Sequence, residues 1–466
     1  MKSGPIPSTK DHKQRTSKRR TGDDPAMIPS SMPMGERARW TYAANIALGL
    51  WLVSSPVTFG YQYPSLLWSD VASGFLVMVL GLVAVAHDPP WARWGICIVG
   101  IWLLFAPLVF WAPNSAVYAS DTLIAALLIA FSILVPGMPG MQMVAGPETP
   151  PGWSYNPSSW LQRGPIIALG FLGFFISRYL AAYQLGYIHS AWDPFFGTGT
   201  EHVLTSKVSR AWPISDAGLG AVTYLLETLS GFMGGVERWR TMPWMVALFG
   251  ILVIPLGAAS IILVILQPVA VGTWCTLCLV TAAAMLIMIP LAVDEVFAMG
   301  QFLVRCVHEG KPFWRTFWRG GTLEEERTQM DRGSSAARPE VGDASLRDRI
   351  SGMFVGMSWP WNLLLSALIG VWLMAAPGVL AIQGSAADSH HLAGALIVAT
   401  AVISLSEVIR AGRLFSIVLG LWVIVAPWVI SGASGGARWT DVIAGLAVVL
   451  LSLPRGENRA RYGNPE

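Results

Sequence analysis

The chain is 466 residues long, 53% hydrophobic and only 13% charged, with a mean hydropathy of +0.52; an ordinary soluble domain is about 25% charged. With 22 Trp and 47 Gly set in long apolar runs, this composition excludes a soluble enzyme, a disordered scaffold and a secreted disulfide framework, and it predicts a polytopic membrane protein. The net charge of +3 matters less than its distribution, because nine of the 31 Lys and Arg fall in residues 1–40 and nine in 305–350.

Residues 1–39 read as a disordered basic cytoplasmic arm, too polar to hold the apolar core of a cleavable signal peptide. Lys10, Lys13, Arg15, Lys18, Arg19 and Arg20 suit a topology signal and lipid headgroups rather than nucleic acid, so membrane lipid is the expected partner. Apolar runs near spanning length then predict helices at 41–59, 68–86, 95–112 and 119–136, a first module over 40–137. A Pro-rich linker follows at 138–164, with Pro147, Pro150, Pro151 and Pro157. Helices at 165–185, 217–234, 243–266 and 274–293 form a central bundle over 165–300. Residues 301–356, polar and carrying Glu324, Glu325 and Glu326, read as a cytoplasmic linker. Helices at 362–380, 391–409, 414–431 and 440–454 make a second module over 357–455, and 456–466 are a tail. The expected fold is an all-α polytopic membrane protein of about twelve transmembrane helices, a central four-helix bundle flanked by duplicated helical hairpins.

Charge tests the count. With the amino terminus inside, 27 of the 31 Lys and Arg lie on the cytoplasmic side, leaving Arg178, Lys207, Arg210 and Arg438. One miscounted helix would invert every later loop. The expectation is a multi-pass protein of the plasma membrane, a bacterial inner membrane, with both termini cytoplasmic.

The outer modules share a repeat. Gly49-Leu50-Trp51 with Pro56 returns as Gly100-Ile101-Trp102 with Pro107, Gly370-Val371-Trp372 with Pro377, and Gly420-Leu421-Trp422 with Pro427. Each Trp precedes its Pro by five residues, and the Trp spacing is 51 within the first pair and 50 within the second. Fourteen residues after Pro56, Pro107 and Pro427 stands Asp70, Asp121 or Asp441, and the third copy has His390-His391 there. This reads as one helical hairpin duplicated. Gly permits close helix approach, Trp suits the membrane interface, Pro ends the outgoing helix, and the Asp is expected to cap the returning one. These hairpins resemble the SPW repeat, named for a Ser/Ala-Pro-Trp signature: Ala426-Pro427-Trp428 matches closely, Ser55-Pro56 and Ala106-Pro107 in part. The resemblance covers about 40–137 and 357–455 and implies a membrane module without an activity.

Four cysteines remain to be placed. Cys97 and Cys306 fall on the cytoplasmic side, whereas Cys275 and Cys278, in Trp274-Cys275-Thr276-Leu277-Cys278, open the eighth helix at its outer end. The membrane separates the two sets, so a four-thiolate zinc site is excluded and no metal is expected. A Cys-x-x-Cys at a helix N-terminus suits redox chemistry, because the helix dipole and unpaired N–H groups stabilise a thiolate. Two small residues packing at a helix end is the other reading of the same spacing.

Residues 165–300 resemble the vitamin K epoxide reductase family, on Ser177-Arg178-Tyr179 ending a first helix, Val203-Leu204-Thr205-Ser206 in an outer loop, Asp216-Ala217-Gly218-Leu219-Gly220 opening a second helix, and the Cys-x-x-Cys opening the fourth. The resemblance implies a four-helix core that passes electrons from thiols to a quinone of ubiquinone or menaquinone type, Cys278 facing the quinone and Cys275 exchanging disulfides. It also implies an outer-side, thioredoxin-like thiol carrier. Trp274 would supply a wall for the ring, and Glu227, in mid-helix, a proton relay or a neutral hydrogen-bonded carboxyl. His189, Asp193, Glu201 and His202 share the outer loop, as proton donors or as solvated residues, whereas Asp294 and Glu295 sit at the cytoplasmic helix end. The family's two loop cysteines are missing: residues 186–216 contain none, and Thr200 stands where one is expected. Two readings follow, a quinone-linked thiol–disulfide oxidoreductase and a non-catalytic quinone-binding or assembly platform. A transporter is weakened by the scarcity of ionisable residues within helices.

Overall fold

The computed structural model describes residues 39–61, 63–138, 146–323, 346–430 and 435–463; the basic arm and the Glu324–Glu326 run lie outside them. Among the described residues the architecture is helical, with two isolated bridges, Trp153–Tyr462 and Met357–Ser406. The long helices are α1 (Arg39–Phe59), α2 (Pro64–His87), α3 (Pro90–Val109), α4 (Ser115–Ile129), α5 (Trp160–Gln184), α6 (Asp216–Phe232), α7 (Pro243–Leu266), α8 (Thr276–His308), α9 (Trp361–Leu380), α10 (Ser385–Ile403), α11 (Phe415–Val429) and α12 (Gly435–Ser452). Ten of the described helices are long and apolar enough to cross a membrane. Of the expected crossings, α6, at 17 residues, and α12 fall outside those ten. In lipid every backbone group must be satisfied within the segment, which helices alone achieve here. Their outward faces carry Trp51, Leu82, Ile98 and Val425, exposed to whatever surrounds the protein.

Helices α1–α4 form one module, α5–α8 the central bundle and α9–α12 the second module. The modules share cores rather than merely touching. Val222, Leu225 and Leu229 of α6 belong to the same apolar cluster as Leu103, Leu104 and Leu128 of the first module. Phe249, Met285 and Met288 of the bundle cluster with Leu363 and Leu405 of the second module. The repeat has the expected close approach: a Cβ on Gly74 would stand 2.5 Å from the Gly49 carbonyl oxygen, and one on Gly394 2.6 Å from that of Gly370. Pro56, Pro107, Pro377 and Pro427 each fall in the last turn of their helix.

The repeat's polar residues do something other than cap. Helix α2 begins at Pro64 with no side-chain cap, and α4 is capped by Asn114, so Asp70 and Asp121 lie inside their helices. Both are fully buried, and the Tyr61 hydroxyl donates to Asp70 Oδ2 at 2.5 Å. In the second module Asp441 Oδ1 pairs with His390 Nε2 at 2.8 Å. The Trp residues cross between hairpins: Trp51 Nε1 donates to Ser120, Trp102 Nε1 to Ser69 and Trp422 Nε1 to Ser389. Ser69 and Ser389 match in this register, which makes His390, not His391, the counterpart of Asp70.

Several boundaries also move: α10, expected at 391–409, spans Ser385–Ile403, and two further shifts bear on the site. Helix α5 starts five residues before Pro165, at Trp160, inside the expected linker. Helix α8 does not stop at Asp294 and Glu295 but runs 33 residues to His308, about 50 Å at 1.5 Å per residue, and it buries Cys306 within it. The two acids are accommodated because each has partners. Arg238 Nε and Nη2 donate to Glu295 at 2.5 and 2.6 Å. The Tyr155 hydroxyl donates to Asp294 Oδ2 at 2.6 Å and Ser406 Oγ to Asp294 Oδ1 at 3.0 Å. Burial, then the Asp294 charge, push the Tyr155 hydroxyl far above its ordinary range, so it stays a donor. Arg163 is likewise buried, its Nη1 meeting the carbonyls of Gly231, Met233 and Gly234 at 3.1–3.2 Å. This polar cluster joins the 150s segment, the bundle and the second module at the end remote from Cys275.

Candidate active site

A turn with Gly272 at φ +79° separates a π-helical segment, Gln267–Val271, from the cysteines. Cys275 is the N-cap of α8, its Sγ accepting from the Cys278 backbone N–H at 3.1 Å. Positions i and i+3 of a first turn share a face, and Cys275 and Cys278 form a disulfide. Were the pair reduced, that N–H and the helix dipole would favour a thiolate at the same place. Cys97 and Cys306 are buried elsewhere, without a disulfide. No cluster of three or more His, Cys, Asp or Glu able to hold a metal occurs among the described residues.

The two sulfurs face different surroundings. Cys275 is completely buried, with its backbone N–H donating to Gln267 Oε1 at 2.9 Å. Over it lies the 186–206 loop, ending in the short helix Gly199–Thr205. Contact is tight enough that a Cβ on Gly199 would fall 2.2 Å from the Trp274 carbonyl oxygen. Cys278, half-buried, lines a cavity of about 150 Å³ inside the bundle, together with Ser177, Leu180, Tyr224, Val264 and Gln267. Tyr224 is fixed by donating to the Thr281 carbonyl at 2.7 Å.

Asp193 holds the loop to the cysteine helix. Its Oδ1 accepts from Thr276 Oγ1 at 2.5 Å and from the Phe195 and Phe196 N–H groups at 3.2 and 3.0 Å. Its Oδ2 accepts from Thr200 Oγ1 at 2.7 Å, Thr200 N–H at 3.1 Å and Thr276 N–H at 3.4 Å. Partial burial opposes ionisation, but the Thr276 and Thr200 hydroxyls and the two Phe N–H groups outweigh it and hold the carboxyl well below the usual carboxylate range. Thr200, where a loop cysteine was expected, therefore reaches the Cys-x-x-Cys through hydrogen bonds by way of Asp193. Thr276 stands between the two cysteines.

The residues singled out from sequence are only partly brought together. Cys278 lines the bundle cavity, while Trp274 lines a separate, larger cavity on the other side of the α7–α8 wall. Glu227 lines neither; it is fully buried one turn from Tyr224, and its two carboxyl oxygens have no hydrogen-bond partner among the described residues. Glu201 serves the loop, its Oε1 accepting from the Ala191 N–H at 3.0 Å. Gln267 and Thr276 were not legible as site residues, because neither stands out until the chain turns at Gly272. Asp193 carried a local signal, Asp193-Pro194, the start of an Asx turn.

Residues 165–293 match the model of the Vitamin K epoxide reductase family, and residues 39–135 and 360–454 match that of the SPW repeat domain. No curated protein and no solved structure matches the chain. The chain thus carries a vitamin K epoxide reductase family domain, with its Cys275–Cys278 pair, between two SPW repeat domains.

Proposed function

We propose that the protein is a quinone-linked thiol–disulfide oxidoreductase of the plasma membrane, with twelve crossings, both termini cytoplasmic and Cys275–Cys278 at the outer face. The observation that carries the reading is the asymmetry of the pair: Cys278 lines a cavity inside the bundle while Cys275 lies under the outer loop. The cavity's composition fits a quinone ring, with Leu180 and Val264 for its faces and Ser177 and Gln267 as hydrogen-bond donors for its carbonyls. A quinone bound there accepts two electrons and two protons. A dithiol carrier supplies them: its thiolate attacks the Cys275 sulfur, the Cys275–Cys278 bond breaks, and Cys278 leaves as a thiolate beside the cavity. The carrier's second thiol then resolves the mixed disulfide, leaving Cys275 as a thiol and the carrier oxidised. The pair re-forms its disulfide as the quinone is reduced. Because Cys275 is buried, the carrier reaches it only when the 186–206 loop lifts.

That closed loop also favours a second reading, a non-catalytic quinone-binding or assembly platform. Thiol trapping of the full chain in nanodiscs separates them. Under the redox reading, dithiothreitol reduces the pair, added ubiquinone or menaquinone analogue re-oxidises it, and Cys278→Ser abolishes quinone reduction. If the pair resists reduction and no quinone re-oxidises it, the platform reading stands. Cysteine labelling at positions near 200, 330 and 460 tests topology: only the first should react from outside.

A further inference from the structure

The Cys278 cavity has a larger neighbour. Between the bundle and the second SPW module lies a space of about 810 Å³, within the roughly 300–1,000 Å³ usual for small-molecule sites. Helices α7 and α8 form one wall, and α9 and α10, with Val371, Met374 and Val398, the other. Val264 and Ala282 line both this space and the Cys278 cavity, so two side chains on facing helices separate them.

The walls are apolar except at one place. His391 is nine-tenths buried, and its Nδ1 has no hydrogen-bond partner among the described residues. Its ring stands edge-on to Trp274, centroids 5.4 Å apart, immediately before Cys275. A buried polar atom left unpaired is costly, which calls for an occupant with a hydrogen-bonding group at that end. Among the described residues no Lys, Arg, Asp or Glu lines the space, so the charged headgroup of a phospholipid finds no counterpart there. An occupant that is apolar for most of its length and carries a ring with oxygen substituents at one end satisfies both conditions.

We propose that this cavity is a waiting site for a prenylated quinone. Its tail lies between α8 and the α9–α10 hairpin and its ring sits at His391 and Trp274, from which it reaches Cys278 by passing between Val264 and Ala282. The choice of ligand rests on the quinone-linked reading above; the site and route are additional to it, and they give the second SPW module a part in the reaction.

The test is photolabelling of the full chain in nanodiscs with a decyl benzoquinone carrying a diazirine at the chain end. The expected result is cross-linking within residues 371–399, displaced by excess unlabelled prenylated quinone and not by added phospholipid. Val371→Trp, which fills the space from a side chain on its open edge, should cut that labelling about tenfold, and His391→Leu should weaken it severalfold with thermal stability retained as the folding control. No labelling within residues 371–399, equal displacement by phospholipid, or labelling indifferent to both variants overturns the proposal. The same labelling separates the two ideas: it persists in Cys278→Ser if the site exists, whatever becomes of turnover, and retained labelling of a wild-type chain whose Cys275–Cys278 pair is neither reduced nor re-oxidised by quinone refutes only the oxidoreductase reading.

Discussion

Removing the Asp193 carboxylate should expose the disulfide. Asp193 accepts six hydrogen bonds, two of them from Thr276 of α8 and the other four from Phe195, Phe196 and Thr200 of its own loop, so it ties the loop to α8 while fixing the loop's shape. Hydrogen bonds to a charged group contribute about 1.5–3 kcal/mol each. The site is half-exposed, and Gly199 still packs against Trp274 in the variant, so the whole tie is set at about the value of one such bond. At 1.4 kcal/mol per decade, Asp193→Ala should raise the open population of the loop by about 10- to 100-fold. When opening and closing are fast relative to attack, reduction by dithiothreitol tracks that population. The assay is the rate of disulfide loss in excess dithiothreitol, followed by maleimide mass shift, with Thr276→Val as a milder companion. A rate for Asp193→Ala within about twofold of wild type would show that loop packing alone shields Cys275 and would refute the reasoning.

Acid should act on the same tie, with a definite sign: the folded-state carboxyl is depressed, so the stabilisation is present above the unfolded value near 3.9 and is lost as pH falls through the lower folded value. Shielding of Cys275, read by a pH-independent phosphine reductant, should therefore persist at about pH 4 and fail only below it. Arg238→Met should destabilise the protein by about 3–5 kcal/mol, because it strands the buried Glu295, and Arg238→Met/Glu295→Leu should recover much of that loss in detergent thermal melts. Gly74→Leu should force α1 and α2 apart and cost about 1–3 kcal/mol or more by the same measurement. Trp102→Phe removes a single hydrogen bond to Ser69 and should cost only about 0.5–1.5 kcal/mol.

What sequence could reveal here was whatever repeats or runs. The apolar segments, the Gly-x-Trp and Pro register and the Cys-x-x-Cys all lie within one helix or recur at a fixed interval, so local inspection finds them. The 33-residue length of α8 was hidden because Asp294 and Glu295 look like a stop unless their partners are known, and Tyr155, Arg238 and Ser406 lie more than fifty residues away in the chain. Asp70 and Asp121 misled in the opposite direction: a carboxylate near a helix start suggests a cap, yet both point into the module's core. Gln267 and Thr276 meet the cysteines only through a turn and a loop that pattern reading does not close.

The cluster remote from Cys275 bears on how the chain is assembled. Glu407 is buried, and its carboxylate accepts from the backbone N–H groups of Arg459 and Ala460 and from the Tyr462 hydroxyl. Tyr462 also packs its ring edge-on against Trp153, and its neighbour's carbonyl, that of Arg461, accepts from the Ser154 N–H. These partners leave the ribosome after all twelve helices. Until they arrive, Glu407 lacks these partners, and the segment ahead of α5 lacks the bridge to Tyr462 that fixes it. The fused cores of the three modules therefore lock late: a nascent or truncated chain ending before residue 459 should remain loosely joined and open to membrane quality-control proteases at the very seam where the modules meet.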